Sequence, residues 1–498
     1  MGIKRYLASK DNTISNAFDD TLRIRATGSN MGGSDILETF SIYAQISSST
    51  TGYSTEKSRI LIQFPMDQII ADRQSGVLPS SGSVNFYFKL FNAKHGDTVP
   101  NGVKLVVAPI SSSWEEGIGL DMEQYTDTGV SNWISSSDGV AWVSQGGDYH
   151  ASPRFEQTFD KGTEDLELNV SELIEQWLAG TKQNYGFGVF ITSSQENSTS
   201  RSYYTKKFFA RGTEFFFKQP LIEARFNSIK KDNRGDFYYS SSLATSQENL
   251  NTIYLYNSVR GALRNIPSVG TGNVYVSIFS GSSDNTRPSG SSLTLVQDGT
   301  NVTVASPTVV TGGWVSTGVY SASFAITASS VPIETLYDVW HNGNLTTQFF
   351  TSSIEPKLYQ ASNNSGNEKY LIKLTNLKQS YAHEETGRIR LYARPKNWYP
   401  NIFSVAQSIP DTATLSSASY SIYRVSDDLQ IIPHSTGSST LHTLMSSDVS
   451  GNYFDFDMSI LEPDYSYAFQ VAIFNDRSAK WETYPESFKF RVEKQQTE

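Results

Sequence analysis

The sequence predicts an all-β protein: an N-terminal jelly-roll-like sandwich with one short helix, followed by two immunoglobulin-like β-sandwich domains. Three observations lead there. Short runs of β-branched and aromatic residues recur along the chain between clusters of Gly, Ser, Pro and Asn. Aromatics reach 13%, led by 28 Phe and 27 Tyr, while charged residues make up only 18%. A helical period of apolar residues stands out in a single segment. The 498 residues allow two to four domains at about 100–200 residues each, and the runs group into 1–226, 227–357 and 358–498.

In the first group, "SRILIQF" (58–64), "SVNFYFKLF" (83–91), "VKLVVAPI" (103–110) and "YGFGVFIT" (185–192) read as sandwich strands. Between them, "NVSELIEQWLAG" reads as the helix. Asn169 is placed to cap it with Glu172 completing a capping box, Leu173, Ile174, Trp177 and Leu178 share one face, and Gly180 ends it. The stretch around Phe226 carries a Pro and then a polar turn, which suits passage between domains. The turn contains Arg234-Gly235-Asp236, a tripeptide that some integrins recognise and that tight turns also use for conformational reasons. The turn is the expected reading.

The second group alternates "NTIYLYN", "NVYVSIFSG", "GVYSASFAI" and "LYDVWHNG" with Gly, Asn and Asp turns, at the spacing of an immunoglobulin-like sandwich. The third has "EKYLIKLTNL", "GRIRLYARPK", "ASYSIYRVSD", "YSYAFQVAIF" and "ESFKFRVEK". In "YFDFDMSI" strict alternation sets Tyr453, Asp455 and Asp457 on one face against Phe454, Phe456 and Met458 on the other. That pattern predicts a half-exposed strand whose aspartates face solvent.

Composition narrows the chemistry. A net charge of −10 opposes phosphate backbones and anionic lipid, so no nucleic-acid partner is expected. Zero cysteines remove disulfides, thiol catalysis and thiolate metal sites. No apolar run of about 18 residues is present and the N-terminus lacks a signal-peptide core, so neither membrane insertion nor secretion through a signal is expected. The six histidines, His95, His150, His341, His383, His434 and His442, show no zinc spacing, and no GxSxG elbow, P-loop or dinucleotide fingerprint occurs. The chain is therefore expected to be no enzyme, with no metal assigned and no cofactor; a structural calcium ion would need an irregular set of oxygen ligands.

The segment from 114 to 149 concentrates what is left. It holds Trp114, Trp133 and Trp142, a Gly146-Gly147 pair, and the carboxylates Glu115, Glu116, Asp121, Glu123, Asp127, Asp138 and Asp148. Paired acids could serve glycoside cleavage, and indoles in a loop could stack on sugar faces. Alternatively the acids are solvated surface and the indoles fold inward with each N–H on a backbone carbonyl. Burial carries the greater weight, with Trp133 left as the tryptophan facing a partner. The candidate glycan or partner contacts are Trp133, Trp142 and Tyr149.

The order "SRILIQF", "VKLVVAPISSSWEEGIG", "NW", "AW", "GGDY" and "LELNVSELIEQWLAGTKQNYGFGVFI" resembles the DNRLRE-type β-sandwich family. Trp114, Glu116, Gly117, Trp142, Gly146, Gly147, Asp148 and Trp177 fall in that family's order over the first ~220 residues, within the ordinary size of a domain. The resemblance implies a jelly-roll-like module of the kind found on secreted polysaccharide-active and cell-surface proteins, some of which bind carbohydrate. The start of the chain departs from that pattern. Taken with "LYDVWHNGN", "ARPKNWYPNIF" and "GNYFDFDMSILEPDYSYAF", it is similar to virion structural proteins of tailed bacteriophages. This second resemblance implies a non-enzymatic virion part of the neck or collar, tail, baseplate or capsid decoration. Such a part is made in the host cytoplasm and partnered by other virion proteins in a symmetric homo-oligomer. The alternative expectation is a receptor module that binds host-surface glycan through the 114–149 loop.

Overall fold

A computed structural model describes residues 2–19, 21–48, 52–94, 101–120, 124–280, 291–296, 308–327, 333–359, 369–397, 412–437 and 441–494. His95, Asp121 and Glu123 lie outside the described residues. The protein is all-β, built of packed β-sheets. It divides into two compact units, one made of Ile3–Gln74 and Leu78–Phe226, the other mainly of Asn227–Glu498.

The first unit contains thirteen strands among the described residues: β1 (Ile3–Leu7), β2 (Lys10–Ser15), β3 (Ile36–Ser48), β4 (Gly52–Gln63), β5 (Val84–Leu90), β6 (Val103–Pro109), β7 (Ser135–Ser137), β8 (Val140–Ala141), β9 (Phe155–Phe159), β10 (Leu166–Asn169), β11 (Phe187–Ile191), β12 (Ser202–Phe209) and β13 (Leu221–Phe226). One sheet runs β1-β13-β5-β10. The other runs β12-β3-β4-β11-β6-β9, with β2 also on β4. The long β4 pairs with β3 along Gly52–Lys57 and with β2 along Ser58–Gln63, and with β11 along Ile60–Ile62.

Alternation directs one face of each sheet into the space between them. Ile60, Ile62 and Phe64 meet Phe86, Phe88, Leu105, Val107, Phe187 and Val189 there, all fully buried. Phe88 and Phe187 stack at 4.7 Å with rings 8° from parallel, and Phe64 meets Phe88 edge-on at 5.7 Å. The expected helix, α2 (Ser171–Leu178), adds Leu173, Ile174 and Trp177 to this core, and Gly180 closes it at φ +69. Its capping differs from the expectation. Asn169 ends β10, one residue too early to be the N-cap, which is Val170 with no side-chain bond. The Asn169 Oδ1 accepts instead from the Ser171 amide (3.1 Å) and hydroxyl (2.6 Å). A second eight-residue helix, α1 (Asp67–Gln74), was not legible because it buries one apolar residue, Ile69, and so carries no apolar stripe.

The second unit begins with β14 (Asn251–Tyr256), the small hairpin β15 (Ser258–Val259) and β16 (Ala262–Leu263), then β17 (Val274–Ser280), β18 (Val310–Ser316), β19 (Val319–Phe324), β20 (Leu336–His341) and β21 (Gln348–Ile354). Six of these form one antiparallel sheet in the order β14-β19-β18-β17-β20-β21. Every one of the six contributes buried side chains to the same cluster, from Ile253 to Ile354 and including the fully buried Trp340. The Arg234-Gly235-Asp236 tripeptide is a turn. Arg234 reaches inward to the fully buried Asp338 (2.6 Å), whose other oxygen accepts from the Trp340 indole (2.7 Å).

The last segment supplies β22 (Tyr370–Leu374), β23 (Ser380–Ala382), β24 (Thr386–Pro395), β25 (Ala418–Arg424), β26 (Gln430–Ile432), β27 (Ser446–Asp448), β28 (Gly451–Asp457), β29 (Ser466–Asn475) and β30 (Lys480–Glu493). They form sheets β22-β24-β28-β27 and β23-β30-β29-β25-β26. Phe454 and Phe456 of the first sheet pack on Tyr420 and Phe469 of the second, and Phe469 stacks on Phe490 at 4.8 Å. The other face of β28 departs from the expected solvent exposure. Tyr453 is 1% exposed under the Arg388 guanidinium, 4.2 Å from its ring. Asp455 holds Arg388 through two bonds (2.7 and 3.1 Å), and Asp457 caps the turn at Ser459. Both aspartates thus have structural work.

The Phe88–Phe187 stack joins the two sheets of the first unit. Phe187→Ala should cost about 3–5 kcal/mol of that unit's stability, read from urea unfolding of the whole chain. A loss under about 1 kcal/mol would mean the site collapses around the gap.

Candidate functional site

The 111–149 segment leaves and rejoins the larger sheet at one place. Ile110 bridges Tyr149, the Ser111 amide donates to the Asp148 carbonyl (2.9 Å), and the His150 amide donates to Pro109 (2.9 Å). Between those points it folds over the sheet face turned away from the main core. Leu61 of β4 and Ile14 of β2 meet Ile110, Trp114, Trp133 and Trp142 in a second apolar layer. Beside it, Val106, Ala108 and Phe190 pack against Tyr149. The continuous apolar runs "ILI" and "LVVAPI" are strands covered on both faces.

The indoles are part of this cover. Trp114 is 3% exposed and Trp133 and Trp142 are 5% each. The Trp114 N–H donates to Tyr185 O and that of Trp142 to Asn132 O, both at 2.8 Å. The Arg59 guanidinium lies over the Trp133 ring at 5.3 Å, with two bonds to Glu196 (3.1 and 2.9 Å) and one to Gly146 O (3.1 Å). Gly146 and Gly147 take φ +85 and +99, and a Cβ on Gly146 would stand 2.8 Å from the Trp133 ring. Asp148 accepts from the Val143 and Ser144 amides (2.9 and 2.8 Å) and so closes the turn. Tyr149 lies across Gly188, where a Cβ would come within 2.0 Å of its ring, and donates to Gly146 O (2.8 Å). Burial pushes its phenol up to about 12.

Of the expected glycan or partner contacts Trp133, Trp142 and Tyr149, the outward-facing placement of Trp133 is corrected: it lies under Arg59 at 5% exposure. The rings of Trp133 and Trp142 are buried, and Tyr149 is half-buried with its ring against Gly188 and Arg59. Trp177 lies elsewhere, in the inter-sheet core, 4.9 Å from Phe187.

Of the acids, Glu115 and Asp138 are exposed, while Glu116 and Asp127 are engaged. Glu116 holds Arg211 through two bonds (2.8 and 2.9 Å) and accepts from the Asp11 amide (2.7 Å); Asp127 accepts from Leu120 N (2.8 Å). Gly117 lies against the Asn30 side chain. Asn30 makes four bonds, donating to Glu116 O and Ser131 O and accepting from the Gly32 and Gly119 amides. Asn12 donates to Ser131 and accepts from Met31 N. Asn12, Asn30, Arg59 and Glu196 were not singled out in the sequence, because isolated polar residues far apart in the chain give no local pattern.

A cleft of about 550 Å³ opens elsewhere on this unit, lined by Phe18, Glu38, Phe40, Glu56, Tyr125 and Tyr203 among others. Glu56 accepts from Phe18 N (3.1 Å), and burial raises its carboxyl above the usual range. Glu38 is bonded by the Thr205 hydroxyl and lies 3.6 Å from Lys207. Acceptors beside aromatic edges suit a small polar ligand that donates hydrogen bonds. Among the described residues no group of three or more His, Asp or Glu side chains is placed to hold a metal ion.

No family model matches the chain, and no curated protein does. Among solved structures, the N-terminal Ig1-2 module of the Drosophila receptor protein tyrosine phosphatase DLAR is similar at 10% identity, over 49% of this chain and 91% of that one, with a TM-score of 0.13. Trypsin-activated alpha-2-macroglobulin from Escherichia coli is similar at 8% identity, over 87% of this chain but 24% of that one, with a TM-score of 0.17. No functional reading rests on either.

Asp11 offers a pH test of the loop's anchorage. It is 2% exposed, and burial, with the Glu116 charge adding, raises its carboxyl from 3.8 to about 7 against the pull of the Arg211 amide. The folded state therefore holds this proton more tightly than the unfolded one. That contribution to stability is complete below about 4 and is lost as pH rises through about 7. Asp11→Asn should remove this slope and raise stability at pH 8 by on the order of a few kcal/mol. Equal pH slopes in the two proteins would contradict it.

Proposed function

We propose that this protein is a non-enzymatic structural component of a tailed-phage virion, in the neck or collar, tail, baseplate or capsid decoration, working by protein–protein assembly. What supports the reading is the outside of the 111–149 loop. Ile118, Leu120, Val140 and Val143 are 90, 67, 54 and 94% exposed. The same loop is pinned from beneath by Asn30, Asp148 and the indole bonds. Apolar side chains offered on a backbone already ordered lose little entropy on association, which favours docking to a neighbouring subunit. The resemblance to virion proteins and the DNRLRE-like order of the first unit accord with such a role, with other virion proteins and copies of this chain as partners.

The test is assembly itself. The wild-type chain should scatter light as a multiple of its 55.3 kDa protomer and be found in purified particles. The double variant Ile118→Asp, Val143→Asp should lose at least about tenfold in association, roughly 1.4 kcal/mol, with its unfolding midpoint unchanged. A monomeric wild-type chain that never appears in particles would sink the reading.

A second reading, glycan recognition, is favoured by the 550 Å³ cleft rather than by the tryptophan loop. On a glycan array, Tyr203→Ala should abolish any wild-type signal, because Tyr203 is 40% exposed at the cleft wall. Retained binding in that variant would exclude the cleft.

A further inference from the structure

Lys206 of β12 is fully buried. Its amine lies between the rings of Phe159 and Phe208, at 4.9 and 5.0 Å. Three oxygens hold it: Asn92 Oδ1 at 2.5 Å and the Gly162 and Glu164 carbonyls at 2.8 Å each. Asn92 lies two residues past β5, and its backbone is fixed by a bridge to Phe208 of β12 and by its amide donating to Asp165 Oδ1 (2.7 Å). One bond beyond Oδ1 is the amide carbon Cγ, an electrophile. Glu164 Oε2 is buried and has no hydrogen-bond partner, and of the carboxylates acting on the amine Glu164 acts most strongly.

We propose that Lys206 and Asn92 become joined by a side-chain amide, Nζ bonded to Cγ, with release of ammonia. The lone pair of neutral Nζ adds to Cγ. One proton leaves Nζ and one reaches Nδ2, relayed by the Glu164 carboxylate once its side chain turns onto the reacting atoms; the Cγ–Nδ2 bond breaks, and ammonia leaves. Nζ keeps one hydrogen in the new amide, and nothing is oxidised or reduced. Burial brings the amine down to about 8, so a fraction is neutral and nucleophilic near neutral pH. The carbonyls of Gly162 and Glu164 keep Nζ from swinging away from Asn92.

The bond would have a mechanical purpose. Asn92 lies on the stretch that leads from β5 of the four-stranded sheet onto the edge of β12 in the seven-stranded one, so the link fastens that crossing to β12 and closes a loop of 114 residues of chain. Closing so long a loop restricts the unfolded chain as a disulfide would, in a protein with no cysteine.

The experiment is mass analysis of the full chain after incubation above pH 8. The intact mass should fall by about 17 Da, one ammonia. Proteolysis should release a branched peptide joining the segments around Asn92 and Lys206. A succinimide at another asparagine loses the same mass, so the branched peptide decides. Lys206→Arg and Asn92→Ala should give only linear peptides, and Glu164→Gln, folded by circular dichroism, should form the link at least about a hundredfold more slowly. Only linear peptides from wild-type protein after prolonged incubation overturn the proposal, and that outcome does not depend on whether the Lys206 or Asn92 variants fold. Undiminished linkage in Glu164→Gln would overturn the proton path.

Discussion

The larger sheet of the first unit is apolar on both faces, and most of what surrounds it follows from that. Ile60 and Ile62 point toward the smaller sheet while Leu61 points away, and Val106, Ala108 and Phe190 do the same on neighbouring strands. Such a sheet needs two covers. The smaller sheet is one, and the excursion from 111 to 149 is the other. A loop used as a lid brings backbone amides and carbonyls out of water, and each needs a partner. Asn12, Asn30, Asp148 and the Ser131 carbonyl supply them, so the tryptophans and the buried amides are two parts of one solution.

Buried charge is handled in the same unit by enclosure. Burial alone would raise the Glu223 carboxyl, but Arg5, Lys89 and Arg225 hold it down to about 2. Arg59 is matched by Glu196, and Lys206 by three oxygens and two rings. Such groups add little net stability over an apolar replacement, yet removing one partner leaves a charge without water. They therefore favour this sheet pairing over shifted ones. The second unit repeats the device with Arg234 and Asp338.

The same burial separates two surfaces that the sequence could not distinguish. The inside of the 111–149 loop is consumed by the fold, whereas its outer apolar side chains stand in water on a fixed backbone. The cleft near Glu38 and Glu56 has the opposite character, with acids under an aromatic rim. Assembly and small-ligand recognition thus draw on different parts of one module.

By itself the sequence determined the all-β class, the runs that form sandwich strands, the helix from Ser171 and the turn at Arg234-Gly235-Asp236. These rest on local periodicity and on turn chemistry, which neighbouring residues carry. The turn at Gly146, Gly147 and Asp148 answers the same kind of local demand, for φ > 0 and a short acceptor. Only the tertiary structure decided that Trp133 lies under Arg59, that Tyr453 is covered and that Lys206 meets Asn92. Each of those facts joins residues distant in the chain, and whether an indole or an amine faces water depends on what the rest of the chain lays over it.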